Sequence, residues 1–293
     1  MKESEKKLVD LAIEKFFNPD YQPDVWFSSN IFMVFGLPTQ RLKGNPAFWM
    51  KETPLCKLTI TRDEQYEIPI DTEIRTKNTN LIDIGETFNE YVKKVGYHEG
   101  RANKALLGQL INYVTCVMKV EPKNLANGHI LGMHSLVARA WNVHFDVKNP
   151  EKLALSKGRI LLDEQYAKWV HDHCVPLDMR VIQCFRRNPL ALDFYRFLAY
   201  RNNGLNKTIT FPDSDLFKQF GTDQQCDKIT RIRLKGILKI IQTQLQWPVK
   251  ARFEDGYFEL QPSPPAVRHT IPSKSPLRIV DQSKLKGQNK IKM

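Results

Sequence analysis

One stretch of the chain, residues 211–265, constrains the fold more than any other. It opens with a short helix that is expected to stop at Gly221, because glycine readily takes the left-handed conformation that ends helices. A longer helix should then run from Thr222 or Asp223 to Trp247. Apolar residues recur along it at helical spacing and predict one buried face. That face comprises Ile229, Ile232, Gly236, Ile237, Ile240, Ile241 and Leu245.

The same helix carries a second stripe, which is basic. Four cations recur at steps of three, four and four and therefore lie along one face of the helix. They are Lys228, Arg231, Lys235 and Lys239, with Arg233 beside them. Positions 223 to 252 hold seven Lys or Arg and two Asp, the positive balance that binding to DNA phosphates requires. The alternative is an ordinary amphipathic helix whose basic face is solvated.

A β-hairpin is predicted directly after this helix. Residues 249–253 and 257–260 alternate in polarity on either side of an Asp-Gly pair, which is a strong short-range signal for a hairpin. A short helix, a turn, a long helix and a hairpin together describe a winged helix. In that fold the long helix enters the major groove of DNA, and the hairpin, or wing, contacts the backbone. Lys250 and Arg252 lie in this wing.

The plan recurs earlier in the chain. Residues 81–92 match residues 209–220 in character, with Phe88 aligned to Phe217, and a second longer helix is expected from 101 to 113. Its polar residues suit contacts with base edges, although a solvated helix start is the alternative. They are Arg101, Asn103, Lys104 and Gln109. The sequence therefore predicts an α+β protein with two tandem winged-helix domains.

Five segments follow from this plan. They are an N-terminal helix or arm (1–24), a first winged-helix domain (25–149), a linker (150–158), a second winged-helix domain (159–265) and a basic tail (266–293). The tail holds seven Lys or Arg against one Asp and has no apolar periodicity, so disorder and non-specific phosphate contacts are expected.

Other local patterns predict further elements. Helices are expected at 3–17, with Leu8, Leu11, Ala12 and Phe16 on one side, at 164–174 and at 190–201, and strands at 55–61, 66–74, 116–120 and 159–162. Residues 175–178 are predicted as a turn in which Asp178 caps the next helix. Pro189 should open the helix at 190–201, which is expected to be the core helix behind the basic one.

The composition indicates what the protein binds and in which compartment it acts. The chain of 293 residues has a formal charge of +12, which indicates a polyanionic partner, with nucleic acid ahead of an anionic membrane surface. No apolar run approaches the roughly 20 residues that span a bilayer, and the N-terminus lacks a signal-peptide pattern, so a cytoplasmic protein is expected. Its five cysteines are widely spaced and predict reduced thiols rather than disulfides or a zinc ribbon.

No pattern of residues indicates an enzyme, a cofactor or a metal. The nucleotide-binding glycine motifs are absent from the sequence. A DNA-nicking enzyme would need paired metal-binding histidines and a tyrosine nucleophile. His171 and His173 lie two apart in a predicted helix, where side chains diverge, and Tyr195 and Tyr200 lie on different sides of theirs.

Three stretches resemble a known family. They are Phe35-Gly-Leu-Pro-Thr39, Val175-Pro-Leu-Asp-Met-Arg180 followed by Ala191-Leu-Asp-Phe-Tyr-Arg-Phe-Leu-Ala-Tyr-Arg201, and Ser263-Pro-Pro-Ala-Val267. In this order they are similar to the plasmid replication initiators of the RepA type, from about residue 25 to residue 267.

The resemblance implies a bacterial protein that binds repeated sites in double-stranded plasmid origin DNA. It also implies that the protein helps to open A·T-rich DNA and recruits the host replication initiator and replicative helicase. A homodimer is one alternative for the oligomeric state, which the sequence leaves open. Carried onto this chain, the two predicted longer helices would read bases. A winged-helix transcriptional repressor is the alternative, and a metal-dependent nicking initiator is a more remote one.

Overall fold

The structure is a computed structural model that describes residues 3–17, 25–29, 49–52, 56–60, 79–94, 103–122, 133–143, 145–146, 148–154, 157–185, 188–220 and 227–267. Its helices are α1 (Glu3–Phe16), α2 (Phe88–Lys94), α3 (Asn103–Val114), α4 (Glu164–His173), α5 (Met179–Phe185), α6 (Pro189–Asn202), α7 (Asp213–Phe220) and α8 (Asp227–Thr243). Its strands are β1 (Val25–Ser29), β2 (Trp49–Glu52), β3 (Cys56–Ile60), β4 (Leu81–Gly85), β5 (Val117–Pro122), β6 (Met133–Leu136), β7 (Ala138–Asn142), β8 (Gly158–Leu162), β9 (Cys174–Asp178), β10 (Ile209–Pro212), β11 (Ala251–Glu254) and β12 (Tyr257–Leu260).

The fold is mixed α/β, and its sheets are antiparallel. Strands β2, β3, β5 and β6 form one sheet in that order, and β8 lies between β4 and β7 in another. In the C-terminal half, β12 lies between β10 and β11. The order of strand, short helix and longer helix occurs twice, as β4, α2, α3 and as β10, α7, α8.

Helix α6 is the core helix of the C-terminal half, as predicted. The side chain of Asn188 caps it by accepting the N–H of Ala191 at 3.1 Å, and Pro189 occupies the first turn, where a missing N–H costs nothing. Phe194 and Phe197 are fully buried at its centre. Their rings meet aromatic side chains from α7, β10, β11 and β12, so this helix holds the small sheet in place.

The predicted hairpin is confirmed. Glu254 pairs with Tyr257 across a two-residue turn of Asp255 and Gly256. Gly256 has φ of 81°, a left-handed conformation that favours glycine. Its carbonyl accepts the N–H of Asp213 at 3.0 Å, so the hairpin turn is bonded to the start of α7.

The strand predicted at 159–162 forms, but its partners lie in the first half of the chain. It becomes β8, the central strand between β4 and β7, and α4 packs into the same core. The hydroxyls of Tyr113 and Tyr166 are 2.7 Å apart inside this core. Pro150 and Ala154, from the predicted linker, form backbone hydrogen bonds with residues 86 and 89 around the start of α2. Because strand partners are set by long-range packing, local composition did not predict which core this strand joins.

The N-terminal segments pack against the C-terminal half. Strand β1, at the start of the segment predicted as the first domain, pairs along its length with β9. Helix α1 forms as predicted, yet it buries Val9 in the second core while Leu11 is 62% exposed, so the predicted apolar face was wrong at that residue. Val9, Ala12 and Ile13 share the packed side instead.

The turn predicted at residues 175–178 is wrong, because these residues form part of β9. The cap prediction is confirmed, since Asp178 accepts the N–H of Arg180 at 2.9 Å at the start of α5. Cys116 and Cys184 are buried thiols, as expected, and burial raises the pKa of Cys184 to about 12. The predictions for residues 35–39, 66–74, 101, 221–226 and 268–293 lie outside the described residues.

Candidate nucleic-acid interface

Helix α8 buries only part of the face that its isoleucines predict. Leu234, Ile237, Leu238 and Ile241 lie in the second core with Thr230, whereas Ile229 is 47% exposed and Ile232 61% exposed. Ile237 and Ile241 are buried as predicted. The prediction that Ile229, Ile232 and Gly236 are buried was wrong. The predicted and the buried stripes both recur at steps of three and four, and the polar Thr230 concealed the true one.

The same helix ends at Thr243, four residues before the predicted end at Trp247. Gln246 adopts φ of 56°, and the chain turns so that Trp247 enters the core. The indole N–H of Trp247 donates to the carbonyl of Pro264 at 2.9 Å, and its ring meets that of Tyr195 edge-on. Burial of this large ring explains the early helix end.

Four of the predicted DNA-binding cations lie on the outward face of α8. Lys228, Arg233, Lys235 and Lys239 are all exposed. No carboxylate in the described part of the chain forms an ion pair with any of them. Their charges are therefore available to an external anion, and at 3.6 residues per turn the three lysines share one side of the helix.

Arg231 occupies a different position from these four. Its guanidinium forms an ion pair with Asp213, with Nη1 2.8 Å from Oδ2, and its Nη2 donates to the carbonyl of Glu254. Asp213 is only 9% exposed. Arg231 thus joins α8 to the first turn of α7 and to the end of β11. Sequence reasoning missed this role because no short-range pattern links the three residues.

The hairpin presents Lys250 and Arg252 differently. Lys250 is exposed just before β11. Arg252 lies opposite Glu259 and pairs with it and with Glu254 at 3.0 Å. Hydrogen bonds from Gln261 and Arg252 lower the pKa of Glu259, so this carboxylate stays ionised and offsets much of the charge of Arg252.

The first longer helix, α3, contains three of the other predicted contacts. Asn103, Lys104 and Gln109 lie within it, and the structure describes their backbone only. Arg101 lies outside the described residues. The buried side of α3 is set by Leu106, Leu110 and Tyr113.

A strap after the hairpin fixes β12 to the core helix. The amide of Asn202, at the end of α6, donates to the carbonyls of Ser263 and Pro264, each at 3.0 Å, and accepts the N–H of Ser263 at 3.1 Å. The hydroxyl of Ser263 accepts the N–H of Lys250 at 2.8 Å. The Ser-Pro-Pro stretch therefore holds the two ends of the hairpin together.

The polar residues of the 191–201 stretch serve the core. Asp193 and Arg196 form an ion pair at 3.2 Å with both side chains almost fully buried. Burial lowers the pKa of Arg201, whose guanidinium lies within 6 Å of the rings of Phe197, Tyr200 and Phe211. The 191–201 stretch carries the most specific resemblance to the family. Its side chains thus serve to pack the core behind the basic helix rather than to supply reactive groups.

The tyrosine and histidines that were considered for a nicking enzyme have structural contacts instead. Tyr195 is fully buried, its hydroxyl accepts the N–H of Asp178 at 2.8 Å, and burial raises its pKa. His171 is buried beside Asp172, and the exposed His173 packs its ring against Trp169. Within the described ranges, no three His, Cys, Asp or Glu side chains group closely enough to hold a metal ion.

Part of the chain matches the model of a known protein family. Residues 67–211 match the family model described as "Plasmid encoded RepA protein", the same type of protein that the sequence resembles. No curated protein matches the sequence. In the parts of the chain that the structure describes, no helix is long and apolar enough to cross a bilayer.

Solved structures with a similar chain course include two of domains 2 and 3 of RctB. The first, of selenomethionine derivatives, has a TM-score of 0.46 at 8% identity over 82% of this chain and 97% of that one. The second has a TM-score of 0.41 at 7% identity over 80% and 97%. A likeness this distant says nothing about what the chain binds.

Proposed function

We propose that this protein is a plasmid replication initiator that binds repeated sites in double-stranded origin DNA. The observation that carries the proposal is the outward face of α8, where Lys228, Arg233, Lys235 and Lys239 are exposed without a carboxylate partner among the described residues. Such a row of cations binds phosphates and releases their counterions. The plasmid context comes from the family match over residues 67–211.

In this proposal the C-terminal half acts as a winged helix. The order α6, β10, α7, α8, β11, β12, with β12 central in the sheet, supports that reading. Helix α8 enters the major groove, which is about 12 Å wide and admits one helix, and the β11–β12 hairpin contacts the adjacent backbone. Lys250 is then the better placed of the two predicted wing cations, because Arg252 is paired.

The first half acts as a second DNA-binding unit of the same kind. The repeated order β4, α2, α3 supports this assignment. Helix α3 would read its part of the site through Arg101, Asn103, Lys104 and Gln109. Two such units in one chain suit successive parts of one origin repeat, after which the protein opens adjacent DNA and recruits the host initiator and helicase.

The protein acts by binding and not by cutting DNA. A nicking initiator needs an accessible tyrosine nucleophile, and Tyr195 is buried in a hydrogen bond. Incubation with supercoiled origin DNA and Mg²⁺ or Mn²⁺, followed by denaturing electrophoresis, should give no covalent adduct. An adduct that depends on a tyrosine of this chain would refute the non-enzymatic proposal.

The direct test is the salt dependence of DNA binding. The double variant Lys228→Ala/Lys235→Ala should lower the magnitude of the slope of log K against log salt by about two, because each phosphate contact contributes roughly 0.9. The matched control is Lys168→Ala/Lys207→Ala, which removes two exposed lysines away from α8 and should leave the slope nearly unchanged. Equal losses in both variants would show that α8 is not the contact surface.

A maintenance assay separates an initiator from a repressor. A plasmid that carries the origin and no other replication gene should persist when the wild-type protein is supplied, and should be lost with the α8 double variant. Specific DNA binding without maintenance of such a plasmid would favour the repressor.

A further inference from the structure

Two large apolar side chains are exposed on the face of α8 that carries the exposed lysines. Ile229 and Ile232 are 47% and 61% exposed, although the opposite face of the same helix is fully packed. Side chains of this size lower the free energy when they leave water. Among the described residues, no carboxylate pairs with the lysines beside them. An apolar and basic surface of this kind suits a partner that would cover it.

Ile232 occupies the centre of that face. At 3.6 residues per turn it lies opposite the buried Ile241 and within about 60° of Lys228, Lys235 and Lys239. Ile229, one turn earlier, lies on the same side. An anion-binding row thus runs alongside an apolar strip, and a partner must offer negative charge and apolar groups together.

Gly236 extends the strip by one further turn. It is exposed, and a Cβ added there would meet no atom within 4 Å. Glycine is less stable than alanine in a helix interior, yet nothing in the described chain requires a glycine at this position. Gly108, in α3, has the same open surroundings. Close approach of an external surface to the helix backbone would account for the glycine.

We propose that Ile229, Ile232 and Gly236 form a strip that reads the 5-methyl groups of thymines in the major groove, an inference that rests on the proposed function. The thymine methyl is the apolar group on the major-groove edge of the bases, and phosphates flank it on both sides. This arrangement matches an apolar strip bordered by cations. A second copy of the same face is a poor partner, because its lysines would oppose these lysines.

The test replaces thymine with uracil in the DNA. A fragment from beside the protein's own gene that binds specifically is prepared with thymidine or with deoxyuridine throughout. Wild-type affinity should fall about fourfold for each contacted methyl group that is lost. Ile229→Ala and Ile232→Ala should weaken binding to thymidine DNA and show a smaller further loss on deoxyuridine DNA, because their methyl partners are already gone.

Several results would overturn the inference. Equal wild-type affinity for both DNAs would do so, as would isoleucine variants that keep the full sensitivity to uracil. The control Leu153→Ala removes an equally exposed leucine outside α8 and should behave as wild type. If no thymidine fragment binds specifically, the proposed function fails first. If Ile232→Ala instead changes the sedimentation coefficient of the free protein, the strip is a contact between copies.

Gly236→Ala provides an independent measurement. The variant should raise Tm by about 2–4 °C, because alanine is the better helix former and has free space here. It should nevertheless weaken specific binding at least tenfold, since the new methyl group holds the DNA away. A stabilised variant with undiminished specific binding would contradict the proposed close approach.

Discussion

At the scale of single residues, Arg231 shows how a cation on a basic stripe can serve the fold. Its guanidinium forms an ion pair with Asp213 and donates a hydrogen bond to the carbonyl of Glu254, so it positions α8 against α7 and β11. Lys228 and Lys235, its neighbours on the predicted stripe, remain exposed. DNA binding by the stripe stays a prediction, and the sequence could not separate these roles because the partners of Arg231 come from other elements.

Arg231→Ala should therefore destabilise the protein without changing the number of phosphate contacts. Loss of a charged hydrogen bond that leaves Asp213 largely buried costs on the order of 2 kcal/mol of unfolding free energy. Urea denaturation measures this loss, and the slope of log K against log salt should stay as in wild type. A normal denaturation midpoint with a slope reduced by about one would place Arg231 on the DNA instead.

Asp163 is the residue whose ionisation supports the first core. Burial alone would raise its pKa, but hydrogen bonds from Arg139, Ser135 and two backbone N–H groups at the start of α4 lower it below the ordinary value. A lowered folded-state pKa means that its stabilisation is fully present above the ordinary pKa of about 3.9 and is lost as pH falls through the folded value.

Asp163→Asn removes that charge and keeps a residue that caps helices well. The unfolding free energy of wild type should fall more steeply than that of the variant below about pH 4. Denaturation curves from pH 3 to pH 7 measure the difference. Parallel pH profiles would show that the carboxylate contributes no linked stability.

At the scale of elements, a prediction from the sequence succeeded when it depended on residues close together in the chain. The hairpin, Pro189 in the first turn of α6, and the cap at Asp178 were predicted because each depends on residues close together in the chain. The buried face of α8 was predicted only in part, since Ile229 and Ile232 fit the helical period as well as the residues that are buried. Only contacts with α6 and α7 decide between them.

The strap that closes the hairpin gives an element-scale prediction. Asn202→Ala removes three hydrogen bonds to Ser263 and Pro264 at a nearly buried position. We expect a loss of about 2–3 kcal/mol in unfolding free energy, because the buried backbone groups lose their partners. Asn203→Ala, at the exposed next residue, is the control. Equal stability of Asn202→Ala and the control would show that the strap does not hold the hairpin.

At the scale of the whole molecule, the two cores do not follow the order of the chain. Helix α1 and strand β1 pack with the C-terminal half, while β8 and α4 complete the first core. Sequence patterns predicted the elements but not the strands and cores with which they pack. Antiparallel pairing between distant segments leaves no local signature in the sequence. The proposed domain boundaries therefore remain predictions.

The central claim is that the outward face of α8 binds origin repeats. Footprinting of the wild-type protein and of Lys228→Ala/Lys235→Ala on DNA flanking the gene, at two salt concentrations, tests it most directly. We predict wild-type protection of several evenly spaced direct repeats that weakens steeply with salt and is lost in the variant. Protection of one inverted repeat over the promoter, or a variant footprint equal to that of wild type, would contradict the claim.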